Sequence, residues 1–267
     1  MVTSLVLGVL VGAVLGLTGA GGGILAVPAL VIGLGWSMQQ AAPVALIAVA
    51  GGAGIGAIEG FRRGLVRYRA AALMAVAGVP VTALGMRAAA ATSQRALTAL
   101  FAALMVLAAL RLLRQARRAA LPDAESAWII GRMDSTTGRL VWNWPTAVML
   151  AGIGSLTGFA TGLLGVGGGF IIVPMLRKLT NIPMHGIVAT SLLVIALVGA
   201  GGVFAALLHG AVLPAQLTLL FAVATAAGML AGRSASRRLS DTQVQVGFAG
   251  VLLVVAVGLF VKAASSV

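Results

Sequence analysis

Residues 16–31 read GLTGAGGGILAVPALV, and residues 162–177 read GLLGVGGGFIIVPMLR. The second block starts 146 residues after the first, and the same offset carries Gly23 onto Gly169 and Pro28 onto Pro174. Outward from the motif, Gly8, Gly12 and Gly16 map onto Gly154, Gly158 and Gly162, Arg63-Gly64 onto His209-Gly210, and Arg87 onto Arg233. The chain is therefore two copies of one unit. Each copy opens on an apolar segment broken by glycines, and such breaks at matching places in two halves point to a transporter's binding site.

Composition sets the surroundings. Of 267 residues, 60% are hydrophobic and 9% charged, and the mean hydropathy is +1.11. So few charges cannot cover a soluble domain of this size, and the composition is that of a polytopic, all-α membrane protein. The net charge of +13 is not the footprint of nucleic-acid binding, because the 18 Lys and Arg residues lie in short clusters between apolar runs. That is how membrane-protein loops carry charge. Cysteine is absent and there are only 2 His and 5 acids, so no disulfide, no metal and no cofactor is expected. The start MVTSLVLG lacks a basic signal-peptide region and is read as mature structure.

Apolar runs fall at 3–34, 41–58, 70–86, 96–110, 146–176, 186–208, 211–231 and 244–261. Most have about the 20 residues that a crossing needs. If all eight cross, the basic residues divide 11 to 7 between the two faces. If the two glycine-broken runs are re-entrant, entering and leaving on one face, the division becomes 15 to 3. The second division satisfies the positive-inside rule. Each repeat then holds a glycine-broken hairpin plus three transmembrane helices, and the odd number inverts the second copy. Both termini are expected in the periplasm. The expected organisation is a first repeat over 1–113, a cytoplasmic linker over 114–145 and a second repeat over 146–267. Trp128, Trp142 and Trp144 belong to that linker region and are read as resting at headgroup level. The basic run RLLRQARR at 111–118 is read as a patch drawn to anionic lipid.

The glycines also imply chemistry. A helix broken inside a bilayer exposes backbone groups, which protein or a water-filled cavity must receive. The half-helix beginning near Gly23 turns an N-terminus, with free N–H groups and about half a positive charge, toward mid-membrane. Gly165, Gly167, Gly168 and Gly169 supply a second one from the other direction. Two such ends suit a small anion. The expected anion-binding set is Thr18, Gly19, Gly21, Gly22, Gly23, Gly165, Gly167, Gly168, Gly169, Thr190 and Ser191, with Thr157 and Thr161 as further hydroxyls nearby. The upstream glycines form GxxxG series and are read as helix-packing residues. Glu59, His185, Arg87 and Arg233 are the ionisable residues considered for gating or coupling. For Glu59 the plainer reading is an ion pair with Arg62 or Arg63 at the helix end. Arg87 and Arg233 are read as equivalents that flank opposite entrances.

The paired GLTGAGGG…VP and GLLGVGGG…VP blocks, with ATSL at 189–192, resemble the TauE/SafE sulfite exporter family, also called the TSUP superfamily. The resemblance spans nearly the whole chain. It implies a bacterial inner-membrane transporter that exports sulfite or an organosulfonate such as sulfoacetate. In the first copy the segment matching ATSL is Pro43-Val44-Ala45-Leu46, so a family role for those hydroxyls carries over only to Thr190 and Ser191. A passive anion channel and an organosulfonate uptake permease stand as alternatives. The chain has no phosphate-binding loop for an ATP motor, and its spans hold no nucleophile–base set, so no enzyme activity is expected. Small anions and lipid are the expected partners, and a homodimer is left open.

Overall fold

The computed structural model of the protein describes residues 2–19, 22–118, 130–133, 140–208, 210, 214–236 and 240–265. The first copy holds α1 (Val2–Thr18), a 3-10 turn (Gly22–Leu25), α2 (Ala26–Gly33), α3 (Met38–Arg62), α4 (Tyr68–Ala91) and α5 (Gln94–Arg118). The second holds α6 (Trp144–Leu164), α7 (Gly169–Leu179), α8 (Met184–Leu208), α9 (Ala215–Ser236) and α10 (Asp241–Ser265). Seven of these helices, α3 to α6 and α8 to α10, are long and apolar enough to cross a membrane. A helix satisfies its backbone internally, which lipid requires of any lipid-facing segment. The local signals are legible. Ser37 and Gln40 form a reciprocal capping box at the start of α3, and Asn143 caps α6 by accepting from the Thr146 N–H at 2.9 Å.

The tightest packing crosses between the copies: α1 lies on α9, and α6 lies on α4. Gly8, Gly12 and Gly16 meet Ala224, Thr225 and Met229, and Gly154, Gly158 and Gly162 meet Met74, Gly78 and Thr82. At Gly12, Gly16, Gly154, Gly158 and Gly162 a Cβ would overlap the partner helix's backbone. These are small-residue contacts that let two backbones touch, as GxxxG series do.

Their register corrects the alignment of the copies. Gly232 faces the Ala13 carbonyl, and Gly85 faces the Phe159 carbonyl. Gly16 abuts the Arg233 nitrogen where Gly162 abuts that of Met86. Helices α4 and α9 begin at Tyr68 and Ala215, so the offset has become 147. One extra residue stands in the connection before α9. Arg233 thus corresponds to Met86 and Arg87 to Ser234, and the expected equivalence of the two arginines is wrong.

At the centre, α3 and its counterpart α8 pack antiparallel. Gly60 meets Ala189, Gly56 meets Leu192, and Gly199 and Gly202 meet Ala50 and Leu46. The glycine-broken segments are hairpins. Gly22 lies on the backbone of Leu15, while Gly33 lies on the side chain of Leu7, so the run Gly22–Gly33 returns along α1. In the second copy Gly168 lies on Thr157. The far end of α7 is tied back to the start of α6: Ile130 and Gly131 N–H groups donate to the Leu179 carbonyl, and Thr146 Oγ1 donates to that of Ile130. The arms are unequal. Helix α6 has 21 residues, about 31 Å at 1.5 Å per residue, against 11 for α7. Helix α5 continues through Arg118, so the RLLRQARR run is helical rather than part of a loop.

Candidate functional site

The two hairpins meet where α3 and α8 cross. A Cβ on Gly23 would stand 2.8 Å from Val49 Cγ1 and 3.3 Å from the Val166 carbonyl oxygen. One on Gly167 would stand 3.0 Å from Ile195 Cγ2 and 3.2 Å from Val49 Cγ1. Val49 and Ile195 are 146 residues apart, and each lies midway along its 25-residue helix. The backbones of the two motifs thus touch at the centre of the fold, over a floor of two apolar side chains. The hairpin tips reach past that centre, since Gly19 lies against Val188 and Gly165 against Ala42, both near a helix start.

The second hairpin shows how sequence makes such a turn. Gly165, Gly167 and Gly168 have φ of 73°, 69° and 65°, the left-handed region that costs other residues roughly 1–2 kcal/mol. Gly165 ends α6, and Gly168 is the N-cap of α7. The first N–H groups of α7 therefore open at the crossing, with the positive end of the helix dipole. In the first hairpin Gly19 has φ of 74°, and helix resumes at Gly22 as a 3-10 turn leading into α2. Gly21 lies outside the described residues.

The hydroxyls divide into two kinds. Thr18, Thr82, Thr92, Thr98 and Thr225 each donate to the carbonyl four residues back, at 2.7–3.0 Å. Thr157 and Thr161 on α6 do not, and neither do Ser4 on α1 and Thr218 on α9. Thr157 and Thr161 are fully buried, and both Oγ1 atoms lack a protein partner. A buried hydroxyl left so costs roughly 1–3 kcal/mol, a cost that a bound acceptor removes. Thr157 is the residue against which Gly168 packs. Val11 and Leu15 hold the corresponding places on α1, so only the second copy brings these hydroxyls.

Of the remaining residues singled out from the sequence, Ser191 lies on the α8 face between Val188 and Ile195, and its hydroxyl donates to the Val188 carbonyl at 2.9 Å. Thr190 accepts from the Arg67 N–H at 3.0 Å and holds the start of α4, away from the crossing. Glu59 is not paired with Arg62. It bridges Arg63 at 2.6 Å and Arg233 at 2.8 Å, tying the end of α3 to α9. Arg233 is thereby committed to a carboxylate. Its counterpart Met86 and Glu59's counterpart Ala205 cannot repeat the tie. Arg87 and His185 are exposed and stand apart from the crossing. Sequence reasoning missed Val49 and Ile195, for which the only signal was their central place in twin helices. It also missed the Glu59–Arg233 link, which joins positions far apart in the chain.

Seven helices long and apolar enough to cross a membrane, with two glycine-broken hairpins folded into their centre, define a polytopic membrane protein. The family model described as Sulfite exporter TauE/SafE matches residues 4–259, and the chain belongs to that family. Two proteins of Xylella fastidiosa, each described as a probable membrane transporter protein, are similar along most of the chain. The one from strain 9a5c is 34% identical over 193 residues, 72% of this chain and 68% of its own. The one from strain Temecula1 is 34% identical over 189 residues, 70% of this chain and 67% of its own. No solved structure matches the chain.

Proposed function

We propose that the protein is a secondary transporter that exports sulfite, or an organosulfonate such as sulfoacetate, across the bacterial inner membrane. The anion is held where the two glycine loops meet, between two halves lying inverted in the bilayer with both termini in the periplasm. The observation that carries this reading is the contact of Gly23 with Val166 and of Gly167 with Val49, with buried Thr157, whose hydroxyl lacks a partner, against neighbouring Gly168. Backbone N–H groups at a helix start and neutral hydroxyls bind an oxyanion without the cost of burying a counter-charge.

The inverted arrangement draws support from the antiparallel course of α3 and α8 and from how the helix ends group. One end gathers Glu59, Arg63, Arg67, Arg69, Trp142 and Arg233. The other gathers the start of α3 with that of α5, through the Met38 N–H and Gln94 Oε1, and Lys262 with the end of α2, through the Val31 carbonyl. This is the grouping that leaves most basic residues on one face. Export of an anion is favoured by an inside-negative potential, at about 2.3 kcal/mol per charge per 100 mV.

The test is counterflow in proteoliposomes with labelled sulfite, run against a panel of sulfate, thiosulfate, sulfoacetate and taurine. Saturable exchange stimulated by trapped unlabelled anion is expected for at least one compound. Flux without counterflow would mean a channel, and no flux for any of them would remove the proposal. A reporter fused after Val267 should read periplasmic.

A further inference from the structure

We propose a second anion site, apart from the crossing of the glycine loops, in a cavity at the start of α4. The cavity holds about 300 Å³ and is walled by the α3–α4 connection, the first turn of α4 and residues 140–142. That volume lies at the low end of small-ligand sites, about 300–1,000 Å³. Four observations give it one chemistry. Two arginines, Arg67 and Arg69, line it, and among the described residues no carboxylate does. Arg67 Nε is buried without a hydrogen-bond partner, an unsatisfied donor on a charged group and costly for that reason. Arg69 is held over the ring of Trp142, 4.9 Å from its centroid, a cation–π contact that fixes where its charge lies. Tyr68, Arg69 and Ala70 are the first three residues of a 24-residue helix whose N-cap makes no side-chain hydrogen bond, so their N–H groups have no intrahelical acceptor. Glu59, at the other end of the same connection, is engaged by Arg63 and Arg233 and does not neutralise the cavity.

Two guanidiniums and a helix N-terminus around one small space select a tetrahedral oxyanion of the phosphate or sulfate class. Guanidinium forks match its oxygens in pairs, and the helix end adds N–H donors. Exposed Tyr68 and Trp144 flank this end of the bundle. Tyr and Trp are enriched at headgroup level, where an anionic lipid presents its phosphate and where a dissolved oxyanion also arrives. Thr190 anchors the same turn through the Arg67 backbone, so occupancy bears on how α4 sits against α8.

The experiment measures thermal midpoints of the purified full chain in neutral detergent. Phosphatidylglycerol is compared with phosphatidylcholine, and sodium sulfate with sodium chloride at equal ionic strength. The wild-type midpoint should rise with phosphatidylglycerol, with sulfate, or with both. The rise should be lost in Arg67→Gln, reduced in Arg69→Gln and kept in Arg62→Gln, which alters an exposed arginine of the same connection. A rise confined to phosphatidylglycerol assigns a lipid headgroup, whereas a rise with sulfate assigns a dissolved oxyanion. If Arg67→Gln does not fold, Arg69→Gln and Trp142→Ala decide the matter. A sulfate effect that persists in Thr157→Val/Thr161→Val and is lost in Arg67→Gln belongs to this cavity, and neither to the loop crossing nor to the general stabilisation that sulfate gives any fold. No rise with any of the compounds, or the same rise in the Arg67 and Arg69 variants, would overturn the proposal.

Discussion

The two hairpins pack alike and are furnished differently. Gly12 and Gly158 stand at matching places, each against a carbonyl of a helix from the other copy. Next to Gly158 and a turn beyond it, the second copy carries Thr157 and Thr161 with unpartnered hydroxyls, where the first carries Val11 and Leu15. The charges differ in the opposite sense: Glu59 and Arg233 are joined, while their counterparts Ala205 and Met86 are neutral. Symmetry is thus kept where backbones touch and dropped where polar groups act. One end of the bundle carries an ionic tie between α3 and α9 that the corresponding place at the other end cannot form.

The largest effect should come from breaking what is shared. Gly12→Leu and Gly158→Leu each force a side chain into a partner backbone, at a cost of at least the roughly 1–3 kcal/mol of an overpacked core. Both should lose most monodisperse protein on size exclusion. A large loss in one and none in the other would show that the copies do not bear equal loads.

Next comes what is unshared. Thr157→Val and Thr161→Val keep shape and remove an unpartnered hydroxyl. The midpoint without ligand should hold or rise, while anion affinity falls by up to about tenfold for each hydrogen bond lost, or roughly 1.4 kcal/mol. A fall in ligand-free stability would mean that the hydroxyls serve packing alone.

Smaller still is Glu59→Gln. Its carboxylate is about one-third exposed, so the tie contributes about 0–1 kcal/mol, read as a midpoint shift of a few degrees at most. Arg87→Gln, at an exposed site, should stay within about 0.5 kcal/mol.

Most of the fold could be read from the chain because lipid leaves so few options. Apolar length located the spans, and a repeated triple glycine marked the breaks. The glycine series at Gly8 and Gly154 announced close packing, though not its partners, since GxxxG says that a helix approaches without saying which one. The alignment of Arg87 with Arg233 failed because a single extra residue before α9 shifts every later position, and loops carry no periodic signal that would expose it. The candidate site was half legible. Gly23 and Gly167 stood out as motif members, but Val49 and Ile195 beside them are apolar residues in apolar helices. That Thr157 and Thr161 forgo the carbonyl bonds which Thr82 and Thr225 make depends on side-chain rotation, and sequence does not encode it in readable form.

The most direct measurement is equilibrium binding of sulfite, sulfate, thiosulfate, sulfoacetate and taurine to purified wild-type protein and to Gly23→Ala. The added methyl enters the gap between Gly23, Val49 and the Val166 carbonyl. Saturable binding of at least one oxyanion, weakened about tenfold or more (1.4 kcal/mol or greater) in a variant that remains folded, is the predicted result. Binding of equal strength in both proteins, or binding of none of the five by the wild type, would contradict the account.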